Sequence, residues 1–373
     1  MEKNIKLANE LIDFIYESPT AFHAVSTTKS MLKQEGFTEV LDSEKWDLKK
    51  GGKYFTTQND SALIAFVVGD GELESNGFKL IGAHTDSPSF RIKPFPEMTS
   101  ENTYVRLNTE VYGGPILNTW LDRPLSIAGR VTLRGNNPLS PETRLLNINK
   151  PILIIPNIAI HMNREVNQGV ELNKQKDTLP LLSLVNESLE KDKYLINTIA
   201  AELSVNVSDI LDFDLFLYEY EKGSVIGLNE EFISSPRLDD LAMVHAGIKA
   251  LINTKVNMAT NVMVCFDNEE VGSSTKQGAD SNLLSNILER IALSFNKGRE
   301  DFFRALSKSF MISADLAHAV HPNAGEKHDP VNRPVINKGP VIKISANQSY
   351  TSDSNSIAVY EQICNNAGVP VQK

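Results

Sequence analysis

The feature that most constrains the fold is a short, uninterrupted apolar run at Asn261–Phe266, which ends directly in a cluster of acidic residues. Such a run, without alternating polar residues, is typical of a strand that is covered on both faces. Comparable runs lie at Ser61–Val68, Phe78–Ala83, Ser309–Ser313 and Pro340–Ser345. Together they predict the buried strands of an α/β domain.

Amphipathic helices are predicted in the same outer parts of the chain. Apolar residues recur at near-helical spacing over residues 4–17, about Leu238–Ile252, Asn282–Phe295 and Ser354–Asn366. Pro236 lies near the first turn of the second of these helices, where its missing N–H has no cost. The outer parts of the chain therefore alternate strand and helix.

The middle of the chain follows a different pattern. Between about Tyr104 and Leu217, apolar and polar residues alternate, as at Ser126–Leu133, which predicts antiparallel strands. A polar helical stretch is predicted at about Asp177–Ile199. We interpret the chain as an α/β domain, formed by residues 1–93 and 231–373, that is interrupted by an inserted, largely β domain of residues 94–230.

Composition excludes several classes of protein. Lys and Arg number 37 against 47 Asp and Glu, and the resulting charge of −10 argues against nucleic-acid binding, which needs basic residues against phosphates. No apolar run is long enough to cross a membrane, and the first residues do not resemble a secretion signal. The two cysteines, Cys265 and Cys364, exclude a disulfide framework, so we expect a cytoplasmic protein.

The segment His84–Pro88 (HTDSP) is the first candidate for chemistry. His84 and Asp86 are two residues apart at the end of a predicted strand, so their side chains point to the same face. A metal-binding His needs an acceptor that orients its ring, and a nearby carboxylate can serve. The alternative is an ordinary turn, since Asp, Ser and Pro are common in loops.

Two further segments place acids at the ends of elements. Asp239 and Asp240 lie at the start of the predicted helix 238–252, where we interpret Asp240 as a capping or dipole residue. Glu269 and Glu270 follow the buried run 261–266 and would repel each other without a cation or a proton. Such a pair allows one acid to bind metal and the other to move protons; a solvated turn is the alternative.

The fourth segment is Ser313–Asn323 (SADLAHAVHPN). Asp315 follows a predicted strand, and the spacing of His318 and His321 would suit two ligands on one helical turn. His23 and His245 lie in predicted amphipathic helices without acidic neighbours, so both are predicted to be structural. The motifs of serine hydrolases, P-loop proteins, HExxH metalloproteases and CxxC proteins are missing from the sequence.

Taken together and in order, these segments resemble the aspartyl aminopeptidase family of co-catalytic zinc exopeptidases. The motifs are HTDSP, SPRLDD, DNEEVGS, SADLAHAVHPN and NKGPVIK, and the similarity extends from Ser18 to Gln372. The resemblance implies a mixed-sheet catalytic domain with an inserted dimerisation domain, and self-association into dimers and a dodecamer. It also implies removal of N-terminal residues, including acidic ones, from peptide substrates.

The resemblance implies a role for each matching residue. His84, Asp239, Glu270 and Asp315 correspond to ligands of two Zn²⁺ ions, with Asp239 bridging them. Glu269 corresponds to the general base and Asp86 to the residue that supports the ligands. The implied substrate contacts are His161, His318, Lys338 and Tyr350, with His161 reaching the active site of a neighbouring subunit.

One ligand of the family pattern is missing from this sequence. The resemblance implies a His near the C-terminus for the second zinc, but no His follows His328. We therefore expect a C-terminal truncation and a weakened second zinc site. Two alternatives to the aminopeptidase stay open: a catalytically impaired assembly form, and a deacylase or amidohydrolase on the same scaffold.

Overall fold

The computed structural model describes residues 2–185 and 193–373, which form two compact units, residues 1–314 and 315–373. The helices are α1 Glu2–Tyr16, α2 Ala21–Gln34, α3 Leu73–Asn76, α4 Tyr194–Leu203, α5 Leu238–Asn253, α6 Leu283–Ser294, α7 Arg299–Ser307 and α8 Ser354–Ala367. The strands are β1 Thr38–Glu39, β2 Lys53–Gln58, β3 Ala62–Val67, β4 Phe78–His84, β5 Ser89–Ser100, β6 Tyr104–Tyr112, β7 Leu125–Asn137, β8 Ser140–Asn147, β9 Leu181–Leu184, β10 Ile210–Glu219, β11 Ser224–Ile226, β12 Phe232–Ser234, β13 Thr260–Phe266 and β14 Phe310–Ser313.

A mixed six-stranded sheet forms the centre of the first unit, in the order β1-β2-β3-β13-β4-β14. Strand β13 pairs antiparallel with β3 and parallel with β4, which in turn pairs parallel with β14. Apolar cores cover both faces of this sheet, one around Phe66 and Ile291 and the other around Phe55 and Leu241. The uninterrupted apolar runs of β3 and β13 follow from this burial on both faces.

A second six-stranded sheet, in the order β8-β7-β10-β5-β6-β9, is antiparallel throughout. Its core contains Phe90, Leu107, Trp120, Ile127 and Leu215. Strands β11 and β12 form a separate two-stranded sheet. The predicted α/β fold with a second, largely β region is therefore confirmed. The division into domains at residues 93 and 231 stays a prediction.

The second unit, residues 315–373, contains α8 and a long irregular segment before it. Helix α8 begins at the Asp353 cap, whose side chain accepts a hydrogen bond from the Ser356 N–H, and it ends at Gly368 in the left-handed conformation. Val341 forms an isolated bridge with Gln372. Across residues 2–185 and 193–373, no helix combines the length and the apolar character that a membrane crossing requires.

Most predicted elements are confirmed, including α1, α5, α6, α8, β3, β4 and β13. The strand β14 is present as predicted, but it is not buried, since Met311 is exposed. The strand predicted at Pro340–Ser345 is wrong. Within this described segment, only Val341 forms a β-bridge, and Pro340 has no N–H to donate to a neighbouring strand. Ile344 is exposed and not buried as predicted. His318 and His321 do not share a helical turn, which their spacing would have suited, because residues 314–321 form no helix. The helix predicted at 177–199 contains β9 and the start of α4, and its residues 186–192 lie outside the described residues.

The sheet register brings the two predicted motifs of the first unit together. His84, the last residue of β4, is the register partner of Phe266, the last residue of β13. Because the strands are parallel, the HTDSP segment and the acidic segment leave the sheet at the same edge. This is the edge at which α/β sheets bind ligands.

Candidate metal centre

His84 is held from three directions. Its backbone N–H donates to Asp240 Oδ2 at 3.1 Å, and its ring Nδ1 lies 3.0 Å from the backbone oxygen of Asp86. The Nδ1 atom also lies 3.4 Å from Asp86 Oδ1. Ring nitrogen Nε2 faces the other way, 3.3 Å from Asp239 Oδ1 and 3.9 Å from Glu269 Oε2. The ring is therefore oriented at Nδ1, and Nε2 is directed at the acidic side chains, as in metal-binding histidines.

Asp86 is the buried carboxylate that connects the two motifs. Its Oδ1 accepts the backbone N–H of Glu269, and its Oδ2 accepts the backbone N–H of Glu270, both at 3.1 Å. The hydroxyl of Tyr112 donates to Oδ2 at 2.8 Å. One buried carboxylate thus fixes the imidazole of His84 and the backbone of both adjacent acids.

The acidic segment turns sharply after β13. Asn268 has a left-handed backbone with φ 63°, and a single 3-10 turn, Glu269–Val271, follows. Burial raises the pKa of Asp267 to about 6. Burial also raises the pKa of Glu270 to about 7; the charge of His84 opposes this rise, whereas the charges of Asp86, Asp239 and Glu269 add to it. The expected repulsion between neighbouring acids is therefore present.

The interpretation of Asp240 as a capping residue is wrong. Asp240 is fully buried, both Asp239 and Asp240 have non-helical backbone angles, and no side-chain capping bond is formed at the start of α5. Instead, the Asp240 carboxylate accepts the N–H of His84 and holds the end of β4. The sequence analysis missed this role of Asp240 because the role depends on packing between α5 and β4, which are far apart in sequence.

The donor atoms at this edge have the chemistry that zinc prefers. His84, Glu269 and Glu270 each offer one ligand atom, and these atoms lie within 4.8 Å of one another. Asp239 adds a carboxylate oxygen next to His84 Nε2. Imidazole nitrogen and carboxylate oxygen are both zinc ligands. His84, Asp239 and Glu270 therefore fit a zinc ion, with Glu269 beside them and with Asp86 and Asp240 holding His84 from behind.

The state of His84 without metal leads to a prediction about protons. Burial alone would lower the pKa of His84, but hydrogen bonds with Asp239 and Asp86 raise this pKa to about 11. The metal-free ring is therefore protonated at neutral pH, and zinc must displace that proton. We expect zinc binding near neutral pH to release one proton from His84 and part of a second from Glu270, and zinc affinity to rise at least about tenfold per pH unit.

Calorimetric zinc titrations in buffers of different ionisation enthalpy measure this proton release directly. Titrations repeated across the neutral range give the slope of affinity against pH. An affinity that does not depend on pH, with no proton released, would contradict the prediction.

His161 is exposed on a turn between β8 and β9. Asp315, His318, Lys338 and Tyr350 belong to the second unit and are all exposed, so their implied roles stay predictions. His23 and His245 are buried, in agreement with the structural role predicted for both.

Lys343, which the sequence analysis did not single out, lies beside two of the predicted residues of its unit. Its Nζ is 3.1 Å from Asp315 Oδ2 and 5.7 Å from the centroid of the Tyr350 ring. The NKGPVIK motif contains both Lys338 and Lys343, so the motif did not distinguish between them. Its second lysine is the one found next to these two residues.

Comparisons with known proteins identify the family of this chain. Residues 14–373 match the family described as Aminopeptidase I zinc metalloprotease (M18). The chain is 68% identical over 373 residues to the probable M18 family aminopeptidase 2 of Clostridium novyi (strain NT), covering 100% of this chain and 86% of that protein. It is 41% identical over 369 residues to the probable M18 family aminopeptidase 2 of Pseudomonas savastanoi pv. phaseolicola, covering 98% and 84%.

This chain belongs to the M18 family of zinc metalloproteases. Among solved structures, the mApe1 dodecamer of S. cerevisiae resembles this M18 protein with a TM-score of 0.87 and 29% identity, over 99% of this chain and 85% of that chain. The resemblance inferred from the motifs is confirmed. So is the enzyme class: the M18 protein is a zinc-dependent aminopeptidase.

Proposed function

We propose that this M18 aminopeptidase removes N-terminal residues from peptides at a centre built on His84, Asp239, Glu269 and Glu270. The observation that carries the proposal is the Asp86 carboxylate, which contacts His84 Nδ1 and accepts the N–H groups of Glu269 and Glu270. A buried carboxylate in this position supports metal ligands and is unnecessary in a solvated turn.

Zinc fits this donor set. We propose two ions per subunit, with Asp239 as the shared ligand implied by the resemblance and with the second ion bound more weakly than the first. Bound zinc lowers the pKa of water and polarises a carbonyl. Glu270 serves as a ligand, because its carboxyl is half-buried beside the imidazole. The ligand role of Asp315 follows from its motif.

Glu269 is proposed as the general base. Its side chain is 49% exposed and lies next to His84 Nε2, so it can reach both the reacting water and the departing amine. Its backbone is fixed by Asp86, while its carboxylate has no buried hydrogen-bond partner of its own among the described contacts. Glu269 takes a proton from water and delivers it to the leaving group.

A free α-amine is the proposed requirement on the substrate. With zinc bound, the lone pair of a free amine could coordinate the metal, whereas the nitrogen of an N-acyl amide could not, so the centre would select a free amine. A deacylase on the same scaffold would instead accept an N-acyl group. The two functions therefore differ in one chemical group of the substrate.

Matched substrates separate these functions. We expect aminoacyl amides with a free amine to be hydrolysed and their N-acetyl counterparts to be rejected by roughly 10⁴-fold in kcat/KM, because acetylation removes the recognised group. Zinc-loaded protein would be assayed with both series by chromatographic detection of the released amine. Faster hydrolysis of the acetylated series would favour the deacylase.

The same panel tests a proposed preference for acidic N-terminal residues. Lys338 is the lysine that the resemblance implies for pairing with an acidic side chain, but the contacts of Lys343 with Asp315 and Tyr350 favour Lys343. We expect Lys343→Met to lower the ratio of kcat/KM for Glu over Leu substrates about tenfold. Lys338→Met is the matched control, and the ratio cancels general effects on turnover.

Self-association through residues 94–230 is also proposed, up to the dodecamer implied by the resemblance. The related yeast mApe1 is a dodecamer. Apolar side chains flank His161 on an exposed segment, where Ile158, Ile160 and Met162 are all solvent-accessible. Such a patch is typical of an interface. A cytoplasmic location is proposed because Cys265 and Cys364 are both free, buried thiols.

A further inference from the structure

Tyr112, the last residue of β6, touches the carboxylate that organises the metal centre. Its hydroxyl donates to Asp86 Oδ2 at 2.8 Å and accepts from Asn268 Nδ2 at 2.9 Å. Tyr112 belongs to the antiparallel sheet, whereas Asp86 and Asn268 follow strands of the mixed sheet. The contact therefore connects the predicted inserted domain with the zinc ligands.

The direction of this hydrogen bond is set by the neighbours of Asn268. The Oδ1 atom of Asn268 accepts from Thr275 Oγ1 at 2.8 Å and from Gln277 Nε2 at 2.9 Å. The donor end of the amide is therefore the end that faces Tyr112. Since the tyrosine oxygen accepts from Asn268, its single proton goes to Asp86.

Packing keeps the tyrosine in this position. Its ring meets the Phe216 ring edge to face, with centroids 5.6 Å apart. The next residue, Gly113, has φ +70°, and a Cβ there would lie 3.1 Å from the Cβ of Glu270. The end of β6 thus lies directly against the acidic segment. Burial and the charge of Asp86 raise the pKa of Tyr112, so the hydroxyl stays protonated.

Each oxygen of Asp86 is shared between two neighbours. Oδ1 contacts the ring of His84 and accepts from Glu269, while Oδ2 accepts from Glu270 and from Tyr112. Rotation of this carboxylate would disturb both sides of the centre at once. The tyrosine hydroxyl opposes such rotation because it holds Oδ2 from the side of the antiparallel sheet.

We propose that Tyr112 is a positioning residue of the zinc centre. Tyr112 holds Asp86 in the orientation in which His84 and the Glu269–Glu270 backbone keep their ligand-binding arrangement. This inference rests on the metal centre of the proposed function. Through Tyr112, the antiparallel sheet contributes to zinc affinity without supplying a ligand. The residue acts through Asp86 and does not contact the substrate.

The variant Tyr112→Phe tests this role, because it removes the hydroxyl and keeps the ring against Phe216. We expect zinc to bind about tenfold more weakly, which is at the lower end of the losses seen when residues that hydrogen-bond metal ligands are substituted. We also expect kcat to fall and KM to change little. Zinc affinity would be measured by competition with a chromophoric chelator, and it reports on the site independently of catalysis.

Tyr218→Phe is the matched control. Tyr218 is another tyrosine of the antiparallel sheet, itself buried, and its hydroxyl donates to Asn147 Oδ1 at 2.7 Å, away from Asp86. We expect this control to keep the zinc affinity of the wild type. A loss of affinity equal to that of Tyr112→Phe would show a general effect on the sheet and overturn the inference.

A double variant distinguishes positioning from general stability. If Tyr112 acts through Asp86, adding Tyr112→Phe to Asp86→Asn should change zinc affinity little, whereas independent effects would multiply. Unchanged affinity in the single variant, or a full tenfold loss on the Asp86→Asn background, overturns the inference and leaves the proposed function standing. A wild-type protein that binds no zinc overturns both.

Discussion

Glu269→Gln is expected to bind zinc like the wild type and to lose most of its turnover. Glutamine keeps the size of the side chain and leaves the Glu269 N–H available to Asp86, so the fold of the acidic segment should persist. The substitution removes the carboxylate that accepts a proton. Loss of a general base typically lowers the reaction rate by roughly 10²–10⁴-fold. Steady-state kcat and a zinc titration on the same preparation measure both quantities.

Two comparison variants make this result specific. Glu270→Gln changes the adjacent acid and should weaken zinc binding, since Glu270 is the proposed ligand. Glu300→Gln alters an exposed acid in the first turn of α7 and should change neither quantity. Full turnover in Glu269→Gln would show that another group moves the proton and that the assignment is wrong.

His84→Ala is expected to abolish zinc binding near neutral pH. The substitution removes the imidazole donor and leaves the buried Asp86 carboxylate without the ring that it orients, while the backbone N–H that donates to Asp240 remains. Substitution of a residue that only supports a metal ligand lowers metal affinity by about 10–100-fold. Removal of a direct ligand should therefore lower zinc affinity by more than about 100-fold. Metal analysis after dialysis and calorimetric titration measure the loss.

A buried histidine outside the centre provides the control. His245 lies in α5 with its ring 5.4 Å from that of Phe14. His245→Gln should lower the melting temperature, because it disturbs core packing, while the folded protein keeps its zinc affinity. Wild-type zinc content in His84→Ala would refute the centre as proposed.

The sequence predicted the centre best where short segments carry the information. The apolar runs of β4 and β13 are recognisable because both faces are buried, and the motifs lie directly at their ends. Convergence of His84 with Glu269 and Glu270 then follows from parallel pairing, which places the ends of both strands at one edge. Local pattern and sheet geometry are enough for this part.

What the sequence did not predict depends on contacts between distant segments. Asp240 had the local pattern of a helix cap, although its carboxylate is used by the backbone of His84. Tyr112 reaches Asp86 only because β6 ends opposite the start of β5 in the antiparallel sheet. Lys343 and Lys338 share one motif, and side-chain packing separates them. No local rule reports such contacts.

The position of β5 has a consequence for protein engineering. This strand spans Ser89–Ser100, with an irregularity in its pairing with β6 between Ile92 and Glu97. It starts directly after the HTDSP segment and pairs Ser89 with Tyr112. A minimal catalytic fragment cut at residue 93 would sever this ladder beside the zinc ligands and discard the tyrosine. Chimaeras between relatives should therefore exchange β5 and β6 as one block, with junctions outside both strands.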